Sequence, residues 1–193
     1  RDDAHAREMI VNAALTVAHR GGLKKTNIKE VAEELGITRQ TVYRLFPSTD
    51  ELLTAVSVAA GGKILDRVLK AVTKFSTFED RAVECLVFLA RNIPEDDFMK
   101  RYFVPTEENT ADIENLFSEE SMGYAVQFLK ALHPAPQPLT NEIWLRELSE
   151  HMLRTLLALV IAPTKLTNTP KGIRQYLNRW LRPVLNDAQN KQD

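Results

Sequence analysis

The stretch Leu35-Gly36-Ile37-Thr38-Arg39-Gln40-Thr41-Val42-Tyr43-Arg44-Leu45-Phe46 decides the fold of the N-terminal quarter of this chain. Gly36 tolerates the left-handed conformation that ends a helix, and Thr38 can accept a hydrogen bond from the first turn of the next one. Ile37 between them is apolar and is expected to anchor the turn. Val42, Leu45 and Phe46 share one side of the second helix, so Thr38, Arg39, Gln40, Thr41, Tyr43 and Arg44 share the other.

The flanking sequence supplies the supporting pieces. Upstream, Asn27 and Glu30 have capping-box spacing, and Ile28, Val31, Ala32 and Leu35 give an apolar stripe. Before that, Ile10, Ala13, Ala14, Val17 and Ala18 fall on one face of a helix over about residues 3–20, stopped by Gly21-Gly22. Downstream, Pro47 closes the third helix, and Ser48 with Glu51 opens a fourth led by Leu52, Leu53 and Val56. Two short helices joined by a tight turn and buried on a third form a helix-turn-helix, whose second helix leaves its outer face free for a DNA major groove.

Only seven of 193 residues are glycine, and the apolar residues recur at helical spacing, so the whole chain reads as all-α. The spacing predicts a DNA-binding domain over residues 1–48 and a larger helical domain over 49–193. Gly61-Gly62 predicts a kink or a boundary in the fourth helix. Further helices are predicted over residues 78–91, 98–103, 113–132, 141–161 and 171–186, with a proline-rich loop over 133–138.

The net charge of −1 excludes any argument for nucleic-acid binding from overall charge, which leaves a local surface to carry it. Residues 38–46 provide one, with Arg39 and Arg44 and no carboxylate. Arginine can pair bidentately with guanine and glutamine with adenine, while threonine and tyrosine hydroxyls suit phosphate oxygens. The sequence holds no phosphate-cradling glycine loop or nucleophile elbow, and no set of histidines or carboxylates at metal-ligand spacing. It therefore predicts no enzyme, no cofactor and no metal. Cys85, in an apolar run, reads as a buried thiol, and Glu95-Asp96-Asp97 as an acidic helix start. The longest uncharged apolar stretch, near residues 155–164, is too short to span a bilayer, so a cytoplasmic protein away from membranes is expected.

Residues 5–55 resemble the TetR (tetracycline-repressor-like) family through Thr26-Asn27-Ile28-Lys29-Glu30-Val31-Ala32, the Leu35 to Phe46 stretch and Asp50-Glu51-Leu52-Leu53. The resemblance implies a transcriptional regulator, most often a repressor, binding double-stranded operator DNA. Thr41 and Tyr43 would grip phosphates, Thr26 would lie near the DNA backbone, and Arg39, Gln40 and Arg44 would address bases or phosphates, with Thr38 on the same face. Two positions depart from the family pattern. Gln40 stands where a small residue is common, and Thr49, at the start of the fourth helix, where a lysine often meets a phosphate.

The resemblance also implies a homodimer built on the last two helices. Leu156 and Val160 in the penultimate helix, whose leucines point in nearly every direction, and Leu177 and Leu181 in the stripe of the last are the expected interface. It further implies an effector cavity in the C-terminal domain. Phe88, Met99, Phe103, Met122, Phe128, Trp144 and Met152 would suit an apolar or aromatic small molecule. A regulator without an effector, acting through a protein partner, is the alternative, and a helical enzyme a remote one.

Overall fold

Side chains that accept hydrogen bonds from the first-turn amides set where the helices begin. Asn27 accepts from the amide of Glu30 (3.1 Å), Thr38 from Thr41 (3.2 Å) and Ser48 from Glu51 (3.1 Å). Thr77, Ser118, Asn141 and Thr169 do the same for Asp80, Ser121, Trp144 and Gly172. Each satisfies an amide that has no partner within its helix.

A computed structural model describes residues 2–22, 25–96, 99–100, 103–104, 116–134 and 139–186. Among the described residues the regular structure is entirely helical. The helices are α1 (Asp2–Gly21), α2 (Ile28–Leu35), α3 (Arg39–Leu45), α4 (Thr49–Val72), α5 (Phe78–Asn92), α6 (Glu119–Leu132), α7 (Glu142–Ile161), α8 (Pro170–Trp180) and α9 (Arg182–Asn186).

Three predicted elements differ. α4 runs unbroken through Gly61 and Gly62, so no helix boundary lies there. α6 starts at Glu119 because Ser118 caps it, later than the predicted start at 113, which lies outside the described residues, as do residues 98 and 101–102 of the predicted 98–103 helix. The last predicted helix is two helices. Pro183 has no amide hydrogen to donate to the carbonyl of residue 179, so the chain closes a tight turn instead, with Val184 donating to Leu181 (3.0 Å), and Pro183 sits in the first turn of α9.

Packing divides the chain into two compact units, residues 1–66 and 67–193, with the division inside α4. In the first, α1, α2 and α3 pack on one another around Ile10, Ala14, Val17, Val31, Val42, Leu45 and Phe46, all buried. Leu52 and Val56 of α4 are buried in the same unit.

In the second unit α5 is central and packs against α6, α7, α8 and α9. Its buried apolar residues therefore go round the helix: Phe78, Ala82, Val83, Cys85, Leu86, Val87 and Ala90. The Cys85 thiol is fully buried, and that burial pushes its pKa far up, so it is inert as a nucleophile. Two ion pairs fix the C-terminal helices on α5. Arg174 of α8 holds the Glu84 carboxylate by two nitrogens, and Arg182 of α9 donates to Asp80. The Arg81 guanidinium reaches the carbonyls of Phe75 (2.8 Å), Leu132 (3.3 Å) and Thr73 (3.4 Å), so one side chain serves the carbonyl-rich ends of both α4 and α6.

Candidate nucleic-acid interface

The turn between α2 and α3 is built by backbone geometry. Gly36 takes φ 65°, where a side chain would be strained, and its amide bonds back to α2. The Ile37 amide donates to the Ala32 carbonyl (3.0 Å), closing the six-to-one bond of a Schellman motif. The Ile37 side chain is 37% exposed. The glycine and the two backbone bonds close the turn, and Ile37 leaves part of an apolar side chain at the surface beside α3.

α3 has one inward and one outward face. Val42 is fully buried and Leu45 nearly so, while Thr38, Arg39, Gln40, Thr41, Tyr43 and Arg44 are all exposed, Tyr43 by 51%. Six of the expected DNA-contact residues therefore come together on one solvent-facing surface. Thr38 and Thr41 are joined by a hydroxyl to hydroxyl bond of 2.9 Å, so the cap also orients the second threonine.

Thr26, expected near the DNA backbone, does not join them. It is 2% exposed, and its hydroxyl donates to the Gly22 carbonyl (2.9 Å). That bond ties the chain between α1 and α2. Thr49 is the first residue of α4 and is half-buried.

Two residues of α1 that sequence reasoning did not single out reach the far end of α3. Arg7 donates to the carbonyl of Leu45 and lies over the Phe46 ring, 4.2 Å from its centroid. Asp3, one turn earlier, pairs with Arg44 at 2.9 Å. These contacts join positions 38 and 41 residues apart, and neither has a local sequence signature. On α2, Lys29 pairs with Glu33 at 3.9 Å, and Arg20 of α1 pairs with Glu34.

Among the described residues, the residues expected to line an effector cavity lie as follows. A groove of about 350 Å³, open to solvent, is floored by Ala71, Val72, Phe75, Val87 and Phe88, with Lys74 and Arg91 on its lining. Phe88 is the one expected residue in it. Met99, Met122 and Met152 are buried, and Phe103, Phe128 and Trp144 are half-buried elsewhere. α6 and α7 pack on each other, and Met122 and Met152 are buried residues of these two helices. Trp144 sits against Phe78, with ring centroids 6.4 Å apart.

The expected dimer residues are also core residues. Leu156, Val160, Leu177 and Leu181 are all buried within the single chain. α8 and α9 pack on α5. The exposed large apolar residues of α7, α8 and α9 are Ile143, Ile161, Tyr176, Trp180 and Val184, Ile143 by 76% and Trp180 by 62%.

Among the described residues no helix is long and apolar enough to cross a membrane. Residues 10–56 match the family described as bacterial regulatory proteins, tetR family. No curated protein matches the chain significantly.

Proposed function

We propose, from the match of residues 10–56 to the TetR family of bacterial regulatory proteins, a homodimeric repressor that reads operator DNA with α3 and is released by a small molecule. That it is a DNA-binding transcriptional regulator follows from the family domain; the repressor role, the dimer, the effector and the residue assignments are the proposal.

One observation carries the reading of α3. Thr38, Arg39, Gln40, Thr41, Tyr43 and Arg44 are exposed together around a fully buried Val42. A helix braced on its apolar side by two others and bare on a side with two arginines and a glutamine is shaped for a major groove. In this reading Thr41 and Tyr43 bind phosphates, and Arg39, Gln40 and Arg44 reach base edges. Thr38 caps the helix and holds Thr41 in place, while Thr49 stays at the rim. Selecting source-genome fragments on the full protein tests it. A few enriched sites with two-fold symmetric half-sites are expected, and fragments bound no better than scrambled duplexes would overturn it.

The dimer in this proposal uses Tyr176, Trp180 and Val184, spaced four apart along α8 and α9, with Ile161 of α7. Exposed aromatic and branched side chains in line support it. Trp180→Glu is expected to give monomers in sedimentation, and a monomeric parent protein at micromolar concentration would refute the dimer.

For the effector, support comes from the α4–α5 groove, whose floor holds Phe75 and Phe88 and whose volume of about 350 Å³ suits a small apolar or aromatic molecule. An effector acts only through unequal affinity for the two states, and a coupling of about 1 to 3 kcal/mol changes DNA affinity roughly 5- to 150-fold. A thermal-shift screen followed by DNA titration with each hit is the test. Hits that bind while leaving DNA affinity unchanged would end the effector reading.

A further inference from the structure

The sequence of α3 offers two arginines to DNA without an acidic neighbour, yet the fold brings one to Arg44. Asp3 Oδ1 accepts from Arg44 Nη1 at 2.9 Å, with the side chains 67% and 58% exposed. This end of α1 is held at α3 independently of the pair, because Arg7, four residues on, is anchored on the Leu45 carbonyl and the Phe46 ring. Asp3 and Arg7 are one turn apart on one face of α1, so anchoring the second keeps the first beside Arg44. Among the described residues Arg39 has no such ion pair. The face therefore presents one arginine with its full charge and one with a carboxylate on it.

We propose that Asp3 is a specificity-determining residue that positions Arg44 for base reading and offsets its attraction for phosphates in general. This rests on the reading of α3 as the DNA-reading helix. Asp3 occupies one terminal nitrogen of a planar guanidinium, and among the described residues nothing pairs with Nη2 or Nε. A fixed fork loses less side-chain freedom when it pairs bidentately with guanine O6 and N7. The same carboxylate repels phosphates and cancels one positive charge, so a duplex offering only backbone contacts gains little from Arg44. Both effects widen the gap between operator and other DNA.

The test compares the full chain with Asp3→Asn on two duplexes, a genomic fragment selected by the parent protein and its scrambled sequence. Asp3→Asn is expected to raise affinity for the scrambled duplex about two- to fivefold, the range for an exposed ion pair. The slope of log affinity against log salt should steepen by about 0.9, one further phosphate contact. Affinity for the selected fragment should not rise in step, so the ratio of the two falls. Asp3→Glu should retain most of the ratio, and in an Arg44→Ala background Asp3→Asn should leave it unchanged. A ratio that stays constant on Asp3→Asn, or an equal effect with Arg44 absent, overturns the assignment. The parallel variant Tyr43→Ala separates the two levels. If it weakens binding to both duplexes while Asp3→Asn is silent, the Asp3 assignment alone fails. If it changes neither, the reading of α3 fails and the assignment goes with it.

Discussion

The Arg7 guanidinium lies over the ring of Phe46, 4.2 Å from its centroid, and donates to the carbonyl of Leu45 at the end of α3. Phe46 is fully buried, so the cation covers the outer edge of the small core under α3. It also meets the negative end of the α3 dipole. Arg7→Ala should lower stability by about 1 kcal/mol, from lost cation–π and helix-end contacts. Arg7→Lys should recover part of that, because the charge remains and the planar stack does not. Urea unfolding of the three proteins checks this, and equal midpoints would show the contact to be energetically silent.

The outward face of α3 separates by chemistry into two kinds of contact. Tyr43→Ala and Thr41→Ala should weaken binding to operator and scrambled duplexes alike, since phosphate contacts carry no sequence information. Replacing Gln40 by Ala should instead relax preference at one base position, at a cost of about 1 to 3 kcal/mol on the preferred base. Affinities for a panel of single-base operator variants distinguish these outcomes. A Gln40→Ala protein with an unaltered preference profile would confine Gln40 to solvent.

Gly61 and Gly62 sit inside an unbroken α4, and a Cβ placed on either meets nothing within 4 Å. Neither is required by a turn or by close packing. Gly61→Ala and Gly62→Ala should each stabilise the protein by about 1 kcal/mol through helix propensity. Thermal unfolding reads that gain directly. If DNA affinity or its response to an effector changes as well, the pair serves as a flexible point; if only stability rises, it is a passive weak spot.

What could be read from the sequence was what is local. Asn27, Thr38 and Ser48 cap amides three residues ahead, and Gly36 takes its left-handed turn at the helix end where its lack of a Cβ matters. The inward and outward faces of α3 followed from spacing alone. What could not be read was which neighbour covers an apolar face. Leu177 and Leu181 have the same spacing whether they meet α5 or a second chain, and Met122 and Met152 the same chemistry whether they line a cavity or fill a core. Nor could residues distant in the chain be paired. Arg174 meets Glu84 across 90 positions and Arg182 meets Asp80 across 102, joined by the fold and by no periodicity. Pro183 was visible, but the stripe running past it read as a single helix.

The Asp80–Arg182 pair gives a prediction in pH. The hydrogen bond from Arg182 holds the Asp80 carboxyl below its ordinary value of 3.8, with Thr77 adding to the effect and burial partly opposing it. In the unfolded chain the carboxyl returns to that ordinary value. A folded-state pKa that is depressed favours the native state only while the group is ionised, so its contribution is complete above the ordinary value. It is lost as pH falls from about 4 through the depressed value, because the unfolded chain then binds the proton first. Asp80→Asn removes the charge from both states. The variant should be less stable than the parent near neutral pH, since Arg182 loses its ionic partner and α9 one of its ties to α5. On acidification to about pH 3 the gap between the two should narrow, because the parent alone loses this term. Urea midpoints for both proteins across that range test it. A gap that stays constant with pH would mean that the pair stabilises by geometry alone and that the Asp80 carboxyl titrates as it does in the unfolded chain.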